Sequence, residues 1–307
     1  MNTRLNRTPL LDAVVVGAGP AGLTAASYLG RFHRKVLVID GGASRAQWIP
    51  ESHNIPGFPR GIGGSALLRE LREQASRYGA DIRPGHVDAV ERLERGFRVR
   101  LGTHSVFSRF VLLATGVQDH LPELEGAEEA LLRSLLRICP ICDAFEATGK
   151  RIAVIGSGEH GDREARFLRT YSDRVTLIHV GNARLPAADR VLQDAGVALI
   201  ESNLEALEIE SDRLVLRTRD GLRFFDVFYT ALGCTPRTRL AADLGASLDE
   251  SGALLVNLHQ QTSVPGIYAA GDNVRGLNQV VVAAAEAAVA ATDIHNQLRA
   301  AEDSSGD

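Results

Sequence analysis

The chain has 307 residues, of which 45% are hydrophobic and 23% charged, and it carries 30 glycines. That length allows about two domains, each burying its own core. A formal net charge of −4 removes the electrostatic case for nucleic-acid binding, and the longest apolar stretch, Val280 to Ala291, is interrupted by Glu286 and too short to span a membrane.

The opening residues carry Arg4 and Arg7 but run straight into a glycine turn rather than a cleavable signal, so a cytoplasmic location is expected. Ala13 to Val16 is an apolar run ending at Gly17, a helical pattern follows from Ala21 to Phe32, and Val36 to Ile39 is a second apolar run. The order is strand, glycine turn, helix, strand. In Gly17-Ala18-Gly19-Pro20-Ala21-Gly22 the glycines stand where a tight turn, close approach to a pyrophosphate and helix-to-strand packing each demand no side chain. The helix that opens at Pro20 and Ala21 adds backbone donors and a partial positive charge for phosphates. Asp40 closes the second run, where a carboxylate can accept hydrogen bonds from a ribose.

Between Arg77 and Gly116 several short strands are expected, with Phe107 to Ala114 the clearest; it ends in Ala114-Thr115-Gly116. Next comes Cys139-Pro140-Ile141-Cys142-Asp143. Three cysteines cannot form a disulfide framework, and a Cys-x-x-Cys pair in a reducing compartment points to redox or metal chemistry. A helix start at Pro140 lowers the thiol pKa, and Asp143 is placed to shuttle the protons that thiol-disulfide exchange moves. Half a zinc site and a pair of inert buried cysteines are the other readings, but no second Cys-x-x-Cys or His-x-x-His pair completes a tetrahedral shell, so no metal is expected.

Ile152 to Ile155, Glu159 to Tyr171 and Val175 to Ile178 repeat the strand, turn, helix and strand, with Gly156-Ser157-Gly158-Glu159-His160-Gly161 as the second turn. Glu205 to Ile209, Arg213 to Arg217 and Phe224 to Ala231 read as strands, and a last helix runs from about Asn278 to Leu298. Before it, a strand ends in Gly271-Asp272, where the carboxylate can reach a ribityl hydroxyl, and the helix start at Gln279 and Val280 can face a flavin ring. Together with Thr115 and Gly116, these segments favour FAD over NAD at the first site. The expected fold is α/β, with two Rossmann-like, three-layer ββα nucleotide-binding domains. The FAD domain is discontinuous, residues 1–117 and 243–307, and residues 118–242 form an NAD(P)-binding-like domain that carries the cysteine pair.

The motif order resembles that of the low-molecular-weight thioredoxin reductase-type flavoproteins over approximately Leu11 to Leu298. It runs from the first fingerprint through Asn54-Ile55-Pro56-Gly57, the Ala-Thr-Gly turn and Cys-x-x-Cys-Asp to the second fingerprint and the Gly-Asp segment. The resemblance implies that Gly17, Gly19, Asp40, Asn54, Thr115, Asp272 and Gln279 contact FAD. It implies that Cys142 lies against the flavin, that Cys139 exchanges with the external sulfur, that Asp143 is the acid, and that the protein is a homodimer. Pro140-Ile141 in place of Ala-Thr, Ala144 in place of Gly and Asn278 in place of Arg mark a divergent subgroup.

Thioredoxin reductases that use NADPH carry His-Arg-Arg and a further Arg after the second unit's next strand, where cations pair with the 2′-phosphate. Here the segment is His179-Val180-Gly181-Asn182-Ala183-Arg184-Leu185. Both paired arginines are gone, Arg184 is one place off, no acidic residue marks an NAD site, and His160 puts a bulky side chain in the turn. The expectation is an FAD-dependent thiol-disulfide oxidoreductase whose native donor is not NAD(P)H: a dithiol oxidase or a reductase fed by another redox protein. Its substrate is a small-molecule dithiol or a thioredoxin-like protein. An NADPH-dependent thioredoxin-disulfide reductase is the alternative, and a flavin-binding redox sensor without turnover is the alternative of another class. Cys234 reads as structural, His53 as a polar loop residue, and Trp48 as packing or substrate stacking alike.

Overall fold

The computed structural model describes residues 10–123, 126–180, 192, 194–201, 207–210, 213–218 and 221–304. The chain divides into two compact units, Met1–Gln47 with Gly64–Gln118 and Thr235–Asp307, and Trp48–Gly63 with Asp119–Cys234. The return to the first unit therefore comes after Cys234 rather than at Ala242, because Leu240 and Ala241 of the short helix Arg239–Ala242 are buried in the first unit's core. Residues 48–63, which the sequence division left in the first domain, join the second, where Trp48 packs against the apolar cluster of Leu136, Ile155 and Phe228.

In the first unit, strands Asp81–Pro84, Val36–Asp40, Leu10–Val16 and His104–Leu113 lie in that order, all parallel. Strand His104–Leu113 is long enough to serve two sheets' worth of partners. Its first half pairs antiparallel with Phe97–Leu101, which pairs in turn with Ala89–Arg92, while Val111 to Leu113 pair parallel with Ile267–Ala269. Runs such as Ala13, Val14 and Val15 are fully buried, as strands covered on both faces must be. Helix Pro20–Arg31 buries Leu23, Ala25, Ala26 and Leu29. Helix Gly64–Arg77 is absent from the sequence expectation, although its buried Leu67, Leu68 and Ala75 keep helical spacing.

The second unit repeats this plan. Strands Ala198–Glu201, Val175–His179, Ile152–Gly156, Val227–Ala231 and Leu136–Arg137 form a five-stranded parallel sheet in that order. Strands Leu207–Glu210, Arg213–Thr218 and Gly221–Phe224 form an antiparallel meander beside it in sequence. The expected single strand from Phe224 to Ala231 is thus two. The chain breaks at Asp226, whose carboxylate accepts from the backbone N–H of Arg151 at 2.9 Å and from its guanidinium at 2.7 and 3.2 Å.

Those bonds hold the Asp226 carboxyl down to about 2. An ordinary carboxyl titrates near pH 4, so the pair's contribution is complete above about that pH and is lost as pH falls through 2. Asp226→Asn is therefore expected to lower the thermal midpoint at neutral pH and to shrink the difference between variant and parent as the pH approaches 2, measured by thermal melts across pH.

Candidate active site

Strand Leu10–Val16 delivers Gly17 at φ +108°, and helix Pro20–Arg31 starts directly after Gly19 with Pro20 in its first turn. A Cβ on Gly17 would stand 2.2 Å from the Ala114 carbonyl oxygen, and one on Gly22 would stand 1.9 Å from that of Gly17. Both glycines are demanded by the turn's packing. A Cβ on Gly19 meets only Ser44 Oγ, at 3.3 Å, so this side of the turn is open. The first-turn N–H groups of a helix have no carbonyl of their own and favour an anion. An open glycine over such a turn fits the pyrophosphate of a dinucleotide.

The neighbouring segments close around the same turn. Gly17 N–H donates to Ile39 O at 2.8 Å, which seats the turn at the end of the strand carrying Asp40. Asp40 accepts from Gly42 N–H at 2.8 Å and pairs with Arg72. Gly271, at φ +88°, is so near the helix start that a Cβ there would lie 3.0 Å from Ala21 Cβ. Its N–H donates to Glu286 at 2.7 Å, and Asp272 pairs with Arg45 at 3.2 Å. Burial pushes the Glu286 carboxyl up, with the Asp272 charge adding to it and the Gly271 N–H opposing. Thr115 donates to Arg237 O at 2.6 Å, and Gly116, at φ +65°, has nothing within 4 Å of a Cβ position. Gln279 stands at the N-cap position of helix Val280–Asp303 without a side-chain capping bond, and its Nε2 donates to Asn278 O at 2.9 Å. The fold therefore gathers the Gly17–Gly22 turn, the Asp40 strand end and the Gly271–Asp272 segment. Arg45, Arg72 and Glu286 were missed by sequence reasoning; Glu286 left one signal, a charge inside an apolar helix.

In the second unit Cys139 and Cys142 are joined by a disulfide of 2.07 Å. Cys139 stands at the start of the short helix Pro140–Asp143, and Cys142 N–H donates to Cys139 O at 3.0 Å. Asn54, which the resemblance gives as an FAD contact, meets this loop. Its Nδ2 donates to Ile141 O at 3.3 Å, and its Oδ1 accepts from Ser52 Oγ at 2.8 Å. Asp143 accepts a hydrogen bond from the Tyr229 hydroxyl at 2.8 Å, and its carbonyl accepts from Arg137 Nη1 at 3.0 Å. Burial raises the Asp143 carboxyl above its ordinary value; Arg137 and the Tyr229 hydrogen bond oppose that, and Glu146 adds to it. The Tyr229 phenol is pushed upward, first by burial and then by the Asp143 charge, and stays protonated. Cys234 is not disulfide-bonded and is of intermediate exposure, and His53 lies 3.3 Å from Glu51.

The second glycine turn keeps its packing. A Cβ on Gly156 would lie 2.7 Å from Gly161 Cα, while Gly158, at φ +58°, has open space. Glu159 is exposed in the first turn of helix Gly158–Leu168. His160 sits between Arg163 at 3.0 Å and Glu164 at 3.3 Å, and burial followed by the Arg163 charge lowers its pKa, so it is neutral at pH 7. Strand Val175–His179 ends on His179 and buried Val180. Gly181 to Leu185, with Arg184, lie outside the described residues.

Two glycine-turn domains with a Cys-x-x-Cys disulfide in the second define a class of nucleotide-dependent disulfide enzymes, and the comparisons agree. The chain belongs to the pyridine nucleotide-disulphide oxidoreductase family, which it matches over residues 11–287. It is 33% identical over 302 residues to the thioredoxin reductase of Mycolicibacterium smegmatis, covering 94% of this chain and 96% of that one. It is 32% identical over 293 residues to that of Treponema pallidum, covering 91% and 94%. Among solved structures, HlmI superposes with a TM-score of 0.88 at 32% identity over 97% of this chain and 95% of that one. The protein is accordingly an FAD-dependent oxidoreductase of thioredoxin reductase type, acting on sulfur groups, with two Rossmann-like domains.

Proposed function

We propose that this enzyme oxidises a small-molecule dithiol, or exchanges with a thioredoxin-like protein, and that NADPH is not its native electron donor. The observation that carries the proposal is Glu159. A carboxylate exposed in the first turn of helix Gly158–Leu168 adds negative charge beside the helix N-terminus that a pyrophosphate needs, and it repels the incoming phosphates. The strand end supplies His179 and Val180 where cations are needed for a 2′-phosphate.

The chemistry assigned to the chain is disulfide exchange at Cys139 and Cys142. One substrate thiol attacks Cys139, the Cys139–Cys142 bond breaks, and Cys142 leaves as a thiolate while Asp143 accepts the thiol proton. The second substrate thiol attacks the mixed disulfide and releases Cys139. A cyclic disulfide leaves, and the protein holds two electrons and two protons. FAD, when bound, would supply the acceptor for that electron pair and the link to oxygen or another redox protein. Gly17, Gly19, Pro20, Ala21, Asp40, Thr115, Gly116, Gly271, Asp272, Gln279 and Val280 are the residues proposed to hold it, and Asn54 is proposed as a further FAD contact on the strength of its Asn-x-Pro-Gly motif.

Anaerobic mixing with NADPH, NADH and a small dithiol in parallel tests the reading. Flavin bleaching by dithiol, followed by oxygen-driven recovery with one peroxide per dithiol oxidised, is expected; fast bleaching by NADPH overturns it. The packed Gly156–Gly161 turn and the kinship with thioredoxin reductases favour NADPH-dependent reduction of a thioredoxin-like protein as the second reading, and fast NADPH bleaching is its signature. A sensor without turnover would give single-turnover responses only. A homodimer in the cytoplasm completes the proposal, with sedimentation and fractionation as its checks. Among the described residues no helix is long and apolar enough to cross a membrane.

A further inference from the structure

Arg137 and Tyr229 have no place in the exchange chemistry above, yet the second unit's sheet sets them side by side against Asp143. The two-residue strand Leu136–Arg137 pairs parallel with Val227–Ala231 in a register that matches Arg137 to Tyr229. In-register residues of neighbouring strands point to the same face, so topology alone puts guanidinium and phenol together. Two residues beyond Arg137 the chain reaches Cys139.

We propose that Arg137 and Tyr229 are positioning residues for Asp143, a two-sided clamp that keeps its carboxylate ionised and aimed to accept the thiol proton. The proposal rests on the exchange reading above. Tyr229, fully buried, donates its hydroxyl proton to Asp143 Oδ1 at 2.8 Å. Arg137 Nη1 donates to the Asp143 carbonyl at 3.0 Å and stands 3.6 Å from Oδ2, so one cation fixes both the turn's backbone and its side chain. The guanidinium carbon lies 5.9 Å from the centre of the Tyr229 ring, a cation–π contact that braces the pair. Burial and Glu146 press Asp143 toward its neutral form, and the clamp is what opposes them. A neutral Asp143 cannot take the proton released when the substrate sulfur bonds to Cys139 and the Cys139–Cys142 electron pair passes to Cys142.

A merely structural tie would hold the cysteine turn without governing the charge of Asp143. The deciding measurement is the Asp143 carboxyl titration by carbon-13 NMR on the disulfide-bonded protein, with Asp143→Asn identifying the resonance. Tyr229→Phe, which keeps the ring in the core, and Arg137→Gln are each expected to raise that titration by about one unit, as losing a donor or a cation beside a carboxylate does. Arg137→Lys should restore at least half of the shift. The acidic limb of dithiol-driven disulfide reduction should move by the same amount in each variant. An unmoved titration in Tyr229→Phe overturns the clamp even if Arg137→Gln fails to fold. A titration that moves while the kinetic limb stays still overturns the positioning role. Absence of dithiol turnover in the parent would instead sink the exchange reading, and the titration would still judge the clamp.

Discussion

Cys142→Ser is expected to leave FAD bound and disulfide turnover lower by on the order of 10³-fold or more, since the second sulfur of a vicinal pair has no substitute. Cys139, then a thiol, would remain able to attack an added cyclic disulfide product, opening its S–S bond to give a mixed disulfide with one sulfur while the other leaves as a thiol. Resolution through the flavin would then stop, because the thiolate that links the external sulfur to the cofactor is gone. The variant should therefore keep the parent's flavin absorbance and stoichiometry, trap one equivalent of the added cyclic disulfide per chain by mass spectrometry, and show no steady state with the dithiol. Retained turnover would contradict the role assigned to Cys142. Loss of flavin would mean that the cysteine turn supports the cofactor's binding, a role the proposal does not give it.

The second large effect concerns the first glycine turn, where two replacements by alanine have opposite expected outcomes. In Gly22→Ala the new Cβ falls 1.9 Å from the Gly17 carbonyl oxygen, which is backbone and cannot swing aside. The helix must move off the strand, at a cost of about 1–3 kcal/mol or more, and the variant should lose both thermal stability and yellow colour. In Gly19→Ala the new Cβ meets only the Ser44 hydroxyl at 3.3 Å, a side chain that can rotate. The fold should persist while the methyl stands on the open face proposed for the pyrophosphate, weakening FAD by about tenfold, or about 1.4 kcal/mol. Flavin release monitored by fluorescence, alongside a melt of the apoprotein, separates the two. Full FAD affinity in Gly19→Ala would place the pyrophosphate elsewhere.

Much of the first unit was readable because its signals are local. Gly17, Gly19 and Gly22 sit within six consecutive residues; Gly17 and Gly22 meet packing demands that no side chain could, and Gly19 leaves open the face proposed for the pyrophosphate. The apolar runs around Val14 and Val154 were equally plain, as parallel strands covered on both faces carry no polar alternation. Boundaries read less well. The run from Phe224 to Ala231 looked continuous, and only the Asp226 pairing with Arg151, 75 positions away, shows why it breaks. Asn54 illustrates a different limit, since a short motif names a residue type but not the carbonyl it finds, here that of Ile141.

Sequence by itself determined the repeated strand, turn and helix units, the vicinal cysteines with their acidic neighbour, and the absence of an arginine pair immediately after His179. Each of these is written in contiguous residues whose chemistry follows from spacing along one chain. Tertiary structure alone decided that Arg137 meets Tyr229, 92 positions later, that Glu286 accepts the Gly271 N–H, and that residues 48–63 pack with the second unit. Those contacts depend on strand register and on which buried surfaces find each other, and a linear pattern holds neither, because burial is a property of the whole packed unit rather than of any one segment.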